Sequence, residues 1–373
     1  MSNRLDPPRV WALLSDTAGD NAQVLALAEA LGWPFETHRF KNRPGAMAAN
    51  FLIGPILPPM VRHVSGIFGP PWPDLVIAAG TPSEPVSARI RAESRSTRQV
   101  FLGRPWAKLK AYDLVVTTPQ YSVPDAPNVM RIDLPIHRVT SAEIAREAAL
   151  WSPRVADLPR PYAAVFLGGS ISRYTLDSRA AKRLALAASG LVAPSGGSLL
   201  VCSSYRTPRR AMKVFRTNLD LPCHVFDWHQ RSKDNPYLGF LGLADHLIVT
   251  GDSMSMLAEA CATGKPVHIF DLGEGRYGMR QPPAPSPKGI VARPWLMSAL
   301  RARAKDFKVM VINQVLPARF QRDTRTIHRK LVQSGMAVWL GDAFPAERQP
   351  DPQSTARDLA AIVSRIRSLL GRD

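Results

Sequence analysis

Strand-length apolar runs alternate with helix-length segments along most of this chain, and that rhythm restricts its fold more than any other feature. Val10–Leu14, Phe35–Phe40, Asp74–Ala79, Val100–Leu102, Leu114–Thr117 and Val129–Ile132 read as strands. Leu and Ala at helical spacing fall between them over Asn21–Leu31, and a second helix over Ser83–Glu93 is started by Thr81-Pro82. Strands separated by helices of about 10–15 residues make βαβ units and a parallel sheet. A break then carries Pro135, Pro153, Pro159 and Pro161 around one helical segment, Ser141–Leu150. The rhythm restarts with strands at Ala163–Leu167, Ser198–Cys202, His224–Phe226, His246–Thr250 and Val267–Phe270. Helices are expected between them over Leu176–Ala188, Pro208–Thr217 and Pro236–Leu243. The expected class is α/β in two halves, 1–155 and 156–345, followed by a C-terminal segment, 346–373. In that tail Leu359, Ile362, Val363, Ile366, Leu369 and Leu370 form one stripe of an amphipathic helix. The helix is expected to pack back on the body, with a membrane-surface seat as the alternative.

Composition narrows the partners. The net charge of +18 favours anions: nucleotides, phosphorylated metabolites, lipid headgroups or nucleic acid. An arginine-rich solvated surface would give the same total. Nucleic acid is not expected, because no recognisable module and no aromatic-basic interleaving is present. Cys202, Cys223 and Cys261 stand apart without a CxxC or Cys/His grouping, so neither a disulfide framework nor a metal is expected. The N-terminus lacks an uninterrupted apolar core of signal-peptide type, and no apolar run reaches the ~18 residues of a membrane span.

The chemistry concentrates at strand ends. In TGDSMSMLAEACATGKPV, Gly251-Asp252-Ser253 closes a strand and opens a helix, where ligands of open parallel sheets bind and where free N–H groups attract anions. Ser253, Met254 and Ser255 head that helix. Glu259, one turn beyond Ser255 on the same face, is its only carboxylate. The spacing suits a diphosphate at the helix start and a ribose diol at Glu259; a helix with one exposed Glu is the ordinary alternative. Two other strand ends match in kind. Gly168, Gly169 and Ser170, with Arg173 just beyond, end one strand; Ser204, Arg206 and Thr207 end the next. Asn235 and Tyr237, after Trp228, could bound a nucleobase, or could be a turn and a helix cap.

The layout GGS, then SYRT, then NPY, then GDSMSMLAEACATGKPV resembles the mitochondrial-fission ELM family, plant proteins with bacterial relatives. DTAGDNAQVLALAEALG and DLVIAAGTPSEPVS in the first half are similar to its pattern too, so the resemblance covers nearly the whole chain. That family in turn resembles the GT-B glycosyltransferase superfamily. The resemblance implies two Rossmann-like domains with parallel sheets facing a cleft, the first for the acceptor and the second for a nucleotide-diphosphate sugar. The segment around Glu259 is similar to the donor-site helix of the GlcNAc transferase that makes lipid II, which implies Glu259 on the donor ribose. It likewise implies Ser253, Met254 and Ser255 on the pyrophosphate, with Gly169 and Ser170 near the donor phosphates. Such enzymes use positive side chains and helix dipoles in place of a metal; Arg206 and Arg173 are the candidates here, and Lys265 a weaker one. No cofactor is expected beyond the nucleotide sugar, which is a substrate.

Asp20 stands where the lipid II enzyme has a glycine-richer, histidine-bearing loop. It could be the general base, or could cap a helix starting at Asn21. Glu84 is a second base candidate. The apolar stretch Pro44–Pro73, with Arg62 and His63 inside it, suits either a core or a docking patch for a lipid-linked or envelope acceptor on an anionic membrane. The expected place is the cytoplasm, with a peripheral seat on the inner face of the cytoplasmic membrane as the alternative. Two rival functions share the scaffold: a non-catalytic membrane-surface adaptor, and a nucleotide-sugar 2-epimerase needing carboxylates and a histidine (His224, His229 or His268) brought together.

Overall fold

The computed structural model describes residues 6–42, 61–63, 69–171, 174–230, 234–275, 278–280, 322–347 and 350–372. They divide into two compact units, Met1–Arg138 with Gln353–Asp373, and Val139–Pro352.

The first unit holds a seven-stranded sheet: β1 (Val10–Leu14), β2 (Phe35–Asn42), β3 (Val61–His63), β4 (Leu75–Ala79), β5 (Arg98–Leu102), β6 (Leu114–Thr117) and β7 (Val129–Arg131). Their spatial order is β3-β2-β1-β4-β5-β6-β7, parallel except for the β2–β3 pair. β1 and β4 are buried at every residue, as strands covered on both faces must be, and Val10 sits beside Leu75 in their register. Alternate residues feed two cores. Val10, Ala12, Leu14 and Ile77 join one cluster with α1 (Ala18–Ala30), while Trp11, Leu13, Val76 and Phe101 join the other with α2 (Glu84–Glu93).

In the second unit β8 (Tyr162–Leu167), β9 (Ser198–Ser203), β10 (Cys223–Phe226), β11 (His246–Thr250), β12 (Val267–Phe270) and β13 (Ala337–Trp339) form an all-parallel sheet of order β10-β9-β8-β11-β12-β13. Its helices are α3 (Ser141–Trp151), α4 (Ser178–Val192), α5 (Arg209–Thr217), α6 (Tyr237–Leu243), α7 (Met254–Cys261) and α8 (Arg325–Gln333). The pair α8 and β13 lay beyond the sequence-based strand and helix assignments, because a three-residue strand carries no periodicity. Most of the stretch 44–73 lies outside the described residues, and so does Arg173.

Two boundaries differ from expectation, the second of them falling at 352/353 and not at 345/346. The helix Ser141–Trp151 belongs to the second unit, so the division falls at 138/139 and not at 155. Its cause is local: a Cβ on Gly239 would sit 2.6 Å from Trp151 and one on Gly242 would sit 2.7 Å from Ala148, so bare glycine faces on α6 let α3 lie against it. A capping box at Thr140 and Glu143 starts α3. The tail forms α9 (Ser354–Leu369), which returns to the first unit. Ile362 and Ile366 are fully buried in its core, and Leu359, Val363, Leu369 and Leu370 pack around them. Each buried isoleucine contributes about 1.5–3 kcal/mol, enough to hold the helix there.

Candidate functional site

The strand order of the second unit reverses direction between β8 and β11, and at such a switch point adjacent turns diverge and leave room for a ligand. The two turns there are Gly168-Gly169 and Gly251-Asp252-Ser253. They are tied together by Asp252, a buried carboxylate. Its Oδ2 accepts the Gly169 N–H at 2.8 Å and pairs with Arg206 Nη1 at 2.9 Å. Its Oδ1 accepts the Thr250 hydroxyl at 2.7 Å, and the Thr250 oxygen accepts the Gly168 N–H at 2.8 Å. Glycine is required here by close approach: a Cβ on Gly168 would lie 2.4 Å from Asp252, and one on Gly169 would lie 2.6 Å from the Arg206 carbonyl.

Asp252 thus occupies the anion position of this turn from within. The N–H groups of Gly168 and Gly169, read from sequence as phosphate-facing, are engaged by Thr250 and Asp252. Ser204 and Thr207 are engaged as well. The Ser204 N–H donates to Thr207 Oγ1 at 2.9 Å, while the Ser204 hydroxyl reaches the Gly168 carbonyl at 3.1 Å and the Thr207 hydroxyl reaches it at 2.7 Å. They fasten the β8 and β9 turns to each other. Ser170, the next residue, is exposed, and Arg206 remains partly accessible, its side chain 31% exposed.

The start of α7 is differently disposed. Its first helical backbone bond runs from the Leu257 N–H to the Ser253 carbonyl at 3.0 Å, so the N–H groups of Met254, Ser255 and Met256 lie ahead of the ladder. Ser253, the N-cap, makes no side-chain capping bond. Glu259 lies five residues past Met254, roughly 7–8 Å along the axis at 1.5 Å per residue. Its Oε2 accepts a short hydrogen bond from the Tyr237 hydroxyl. Burial pushes the Glu259 carboxyl up to about 7, against the downward pull of that bond. Burial, and then the charge of Glu259, push the Tyr237 phenol well above its ordinary value.

Tyr237 therefore acts on the acid, and Asn235 on Tyr237. Tyr237 rests edge-on against Phe166, with ring centroids 4.8 Å apart, and its N–H donates to Asn235 Oδ1 at 3.1 Å. Twenty-two residues separate tyrosine from glutamate, so local spacing could not reveal the pair. Trp228 is 43% exposed at this edge, its N–H donating to Ser203 Oγ at 3.0 Å. His229 Nε2 lies 2.8 Å from the Thr207 carbonyl. The other two histidines lie elsewhere: His224 packs on Trp151 and Phe240, and buried His268 meets His246 at 3.3 Å near the amino ends of their strands. The three do not converge within this unit. Lys265 is also removed from phosphate chemistry. Its Nζ donates to the carbonyls of Leu241, Gly242 and Ala244, closing the C-terminus of α6.

The first unit has its own switch point between β1 and β4. The helix α1 begins at Ala18, three residues before the expected start, with Thr17 as N-cap. Asp20 is therefore in the first turn and not a cap. Its carboxylate lies against Gly80, where a Cβ would come within 2.3 Å and where φ is +70°. Asn21 closes the turn, accepting the Ser15 N–H at 2.9 Å and donating to the Ser15 carbonyl at 2.7 Å. Glu84 is buried, with one oxygen accepting the Trp106 N–H at 2.9 Å and the other the Ala107 N–H at 2.8 Å. Burial nonetheless pushes its carboxyl up to about 7. Held by two backbone donors, Glu84 anchors the loop after β5, a role that departs from that of a base facing an incoming hydroxyl. Among the described residues no group of three or more His, Cys, Asp or Glu is placed to hold a metal ion, and no helix is long and apolar enough to cross a membrane.

Comparison with known proteins agrees with this architecture. Os79 from O. sativa, solved in complex with UDP, matches with a TM-score of 0.50 at 9% identity, over 98% of this chain and 93% of that one. The likeness concerns the fold, which is GT-B-like. A UDP-GlcNAc 2-epimerase from Neisseria meningitidis bound to UDP-GlcNAc has a TM-score of 0.46 at 9% identity, over 95% of this chain and 100% of that one. By sequence, the mitochondrial fission protein ELM1 of Arabidopsis thaliana is 28% identical over 220 residues, 53% of this chain and 51% of that protein. The match thus spans about half the length of the Arabidopsis relative. An uncharacterized protein of Rickettsia prowazekii is 21% identical over 298 residues, 70% of this chain and 82% of its own. The mitochondrial fission ELM1 family model matches residues 18–280, a span that begins at α1 and takes in the switch point of the second unit, and the chain belongs to that family.

Proposed function

We propose that the second unit binds a nucleotide-diphosphate sugar and that the chain acts as a metal-independent glycosyltransferase toward an envelope or lipid-linked acceptor. One observation carries the reading: a carboxylate on α7, oriented by Tyr237, stands about a turn and a half from that helix's unladdered N–H groups at the switch point. Glu259 accepts the two ribose hydroxyls, and the amides and hydroxyls of Ser253, Met254 and Ser255 receive the diphosphate. Arg206, already turned toward this edge by Asp252, adds positive charge as the leaving diphosphate develops. Asp20, at the switch point of the first unit, is assigned as the base. The chain works at the inner face of the cytoplasmic membrane, where such an acceptor would lie.

Isothermal titration with a panel of nucleoside diphosphates, UDP first, tests the site. One of them binds, and Glu259→Ala weakens it by about 100-fold or more, the lower end of the worth of two charge-assisted hydrogen bonds. Equal affinity in the variant removes the assignment. The tied carboxylate of Glu84 favours a second reading, a membrane-surface adaptor that binds the nucleotide without transferring a sugar. It differs in predicting no acceptor-dependent release of nucleoside diphosphate.

A further inference from the structure

A cavity of about 560 Å³ lies in the first unit between α2 and residues 107–113. Ala88 and Ala92 on one side and Ala107 and Ala111 on the other supply its apolar wall, and their short side chains leave the space open. Ser87 and Tyr112 add hydroxyls to the lining. Ser87 donates to the buried Gln99 Oε1, and Gln99 Nε2 is left without a hydrogen-bond partner among the described residues.

Three guanidinium groups also line the cavity, and they are unequally satisfied. Arg98 pairs with Asp113 at 2.9 Å. Arg91 donates to the Lys110 carbonyl at 3.1 Å, a neutral acceptor. Arg95 makes no hydrogen bond or ion pair among the described residues. The only carboxylates in the lining are Asp113, already paired, and Glu84, whose oxygens are held by backbone N–H groups. The charge around the cavity is therefore in excess positive, with two forks of N–H donors lacking an anion beside an apolar wall. Planar forks of this kind match phosphate oxygens two at a time.

We propose that this cavity binds a phosphomonoester carried on a small apolar body, with Arg91 and Arg95 on the phosphate and the four alanines against the apolar part. The site is separate from the one assigned to the nucleotide and does not depend on it. Titration of the full chain with octyl phosphate tests it, with n-octanol and inorganic phosphate as controls. Octyl phosphate binds at least tenfold more tightly than either control, because only it engages both the wall and the guanidinium groups. Arg95→Gln and Ala92→Leu, both at exposed positions, each weaken it about tenfold, one by removing a charge-assisted bond and the other by filling the space. Both variants keep the wild-type melting temperature and the wild-type response to UDP. Sedimentation with phosphatidic-acid vesicles separates the two sources of such a group. Retention lost in Arg95→Gln supports the site with a lipid headgroup as its ligand; octyl phosphate binding without retention supports it with a soluble ester. No octyl phosphate binding, or binding and retention that neither variant alters, overturns the proposal.

Discussion

Removing the Tyr237 hydroxyl isolates the contact on which the proposed nucleotide site rests. In Tyr237→Phe the ring keeps its edge-on contact with Phe166, so folding is preserved, while Glu259 loses its donor. A hydrogen bond to a charged group contributes about 1.5–3 kcal/mol, and 1.36 kcal/mol corresponds to one pH unit. The Glu259 carboxyl, already near 7 through burial, should therefore rise to about 8–9. The tyrosine itself stays protonated throughout this range, since its phenol is pushed well above 10. Only the ionised carboxylate accepts both hydroxyls of a ribose. Wild-type affinity for the nucleoside diphosphate should thus climb as pH passes about 7 and level off above it. In the variant the climb moves upward, so at pH 7 the ionised fraction falls from about a half to between a tenth and a hundredth. Affinity at pH 7 then drops about 5- to 50-fold and recovers near pH 9.5. Titrations from pH 6 to 9.5 on both proteins read this directly. A variant weakened equally at every pH, or one with an unmoved midpoint, refutes the reasoning.

Two further outcomes concern stability. Asp252→Ala leaves the buried Gly169 N–H and Thr250 hydroxyl without their acceptor while partly accessible Arg206 turns to solvent, and should cost about 2–4 kcal/mol by urea denaturation; a loss under about 1 kcal/mol would mean the turns are held by something else. Glu84, raised from 4.5 to about 7 by burial, favours the folded state when protonated, so its contribution is complete at acid pH and lost as pH rises through about 7. Glu84→Gln should flatten the stability change between pH 5 and 7.5. The difference between the two proteins isolates Glu84 from His328, which burial holds down near 4 and which therefore acts in the opposite direction; superimposable profiles would refute the assignment.

Much of the architecture was legible because strands buried on both faces read as nearly continuous apolar runs; Val10–Leu14 is wholly apolar, and Leu114–Thr117, His246–Thr250 and Val267–Phe270 are interrupted only by Thr or His. The stripe of the C-terminal helix was equally readable, since Ile362 and Ile366 recur at helical spacing. Its destination was not, because an apolar stripe does not name the surface that covers it. The site followed the same division. Glycines and hydroxyls at strand ends pointed to the second switch point, where Gly169 is tied to Asp252, and Ser204 and Thr207 are tied to Gly168.

Their individual roles were decided by contacts between residues far apart in the chain. Asp252 reaches back across 83 positions to fill the Gly169 turn, and Tyr237 across 22 to hold Glu259. Periodicity along one strand or helix reports which face is buried, and so the chain alone determined the layers and the edge where chemistry belongs. A hydrogen bond between elements depends on how those elements are stacked, and only the tertiary structure decided which polar groups are already satisfied by partners from other elements.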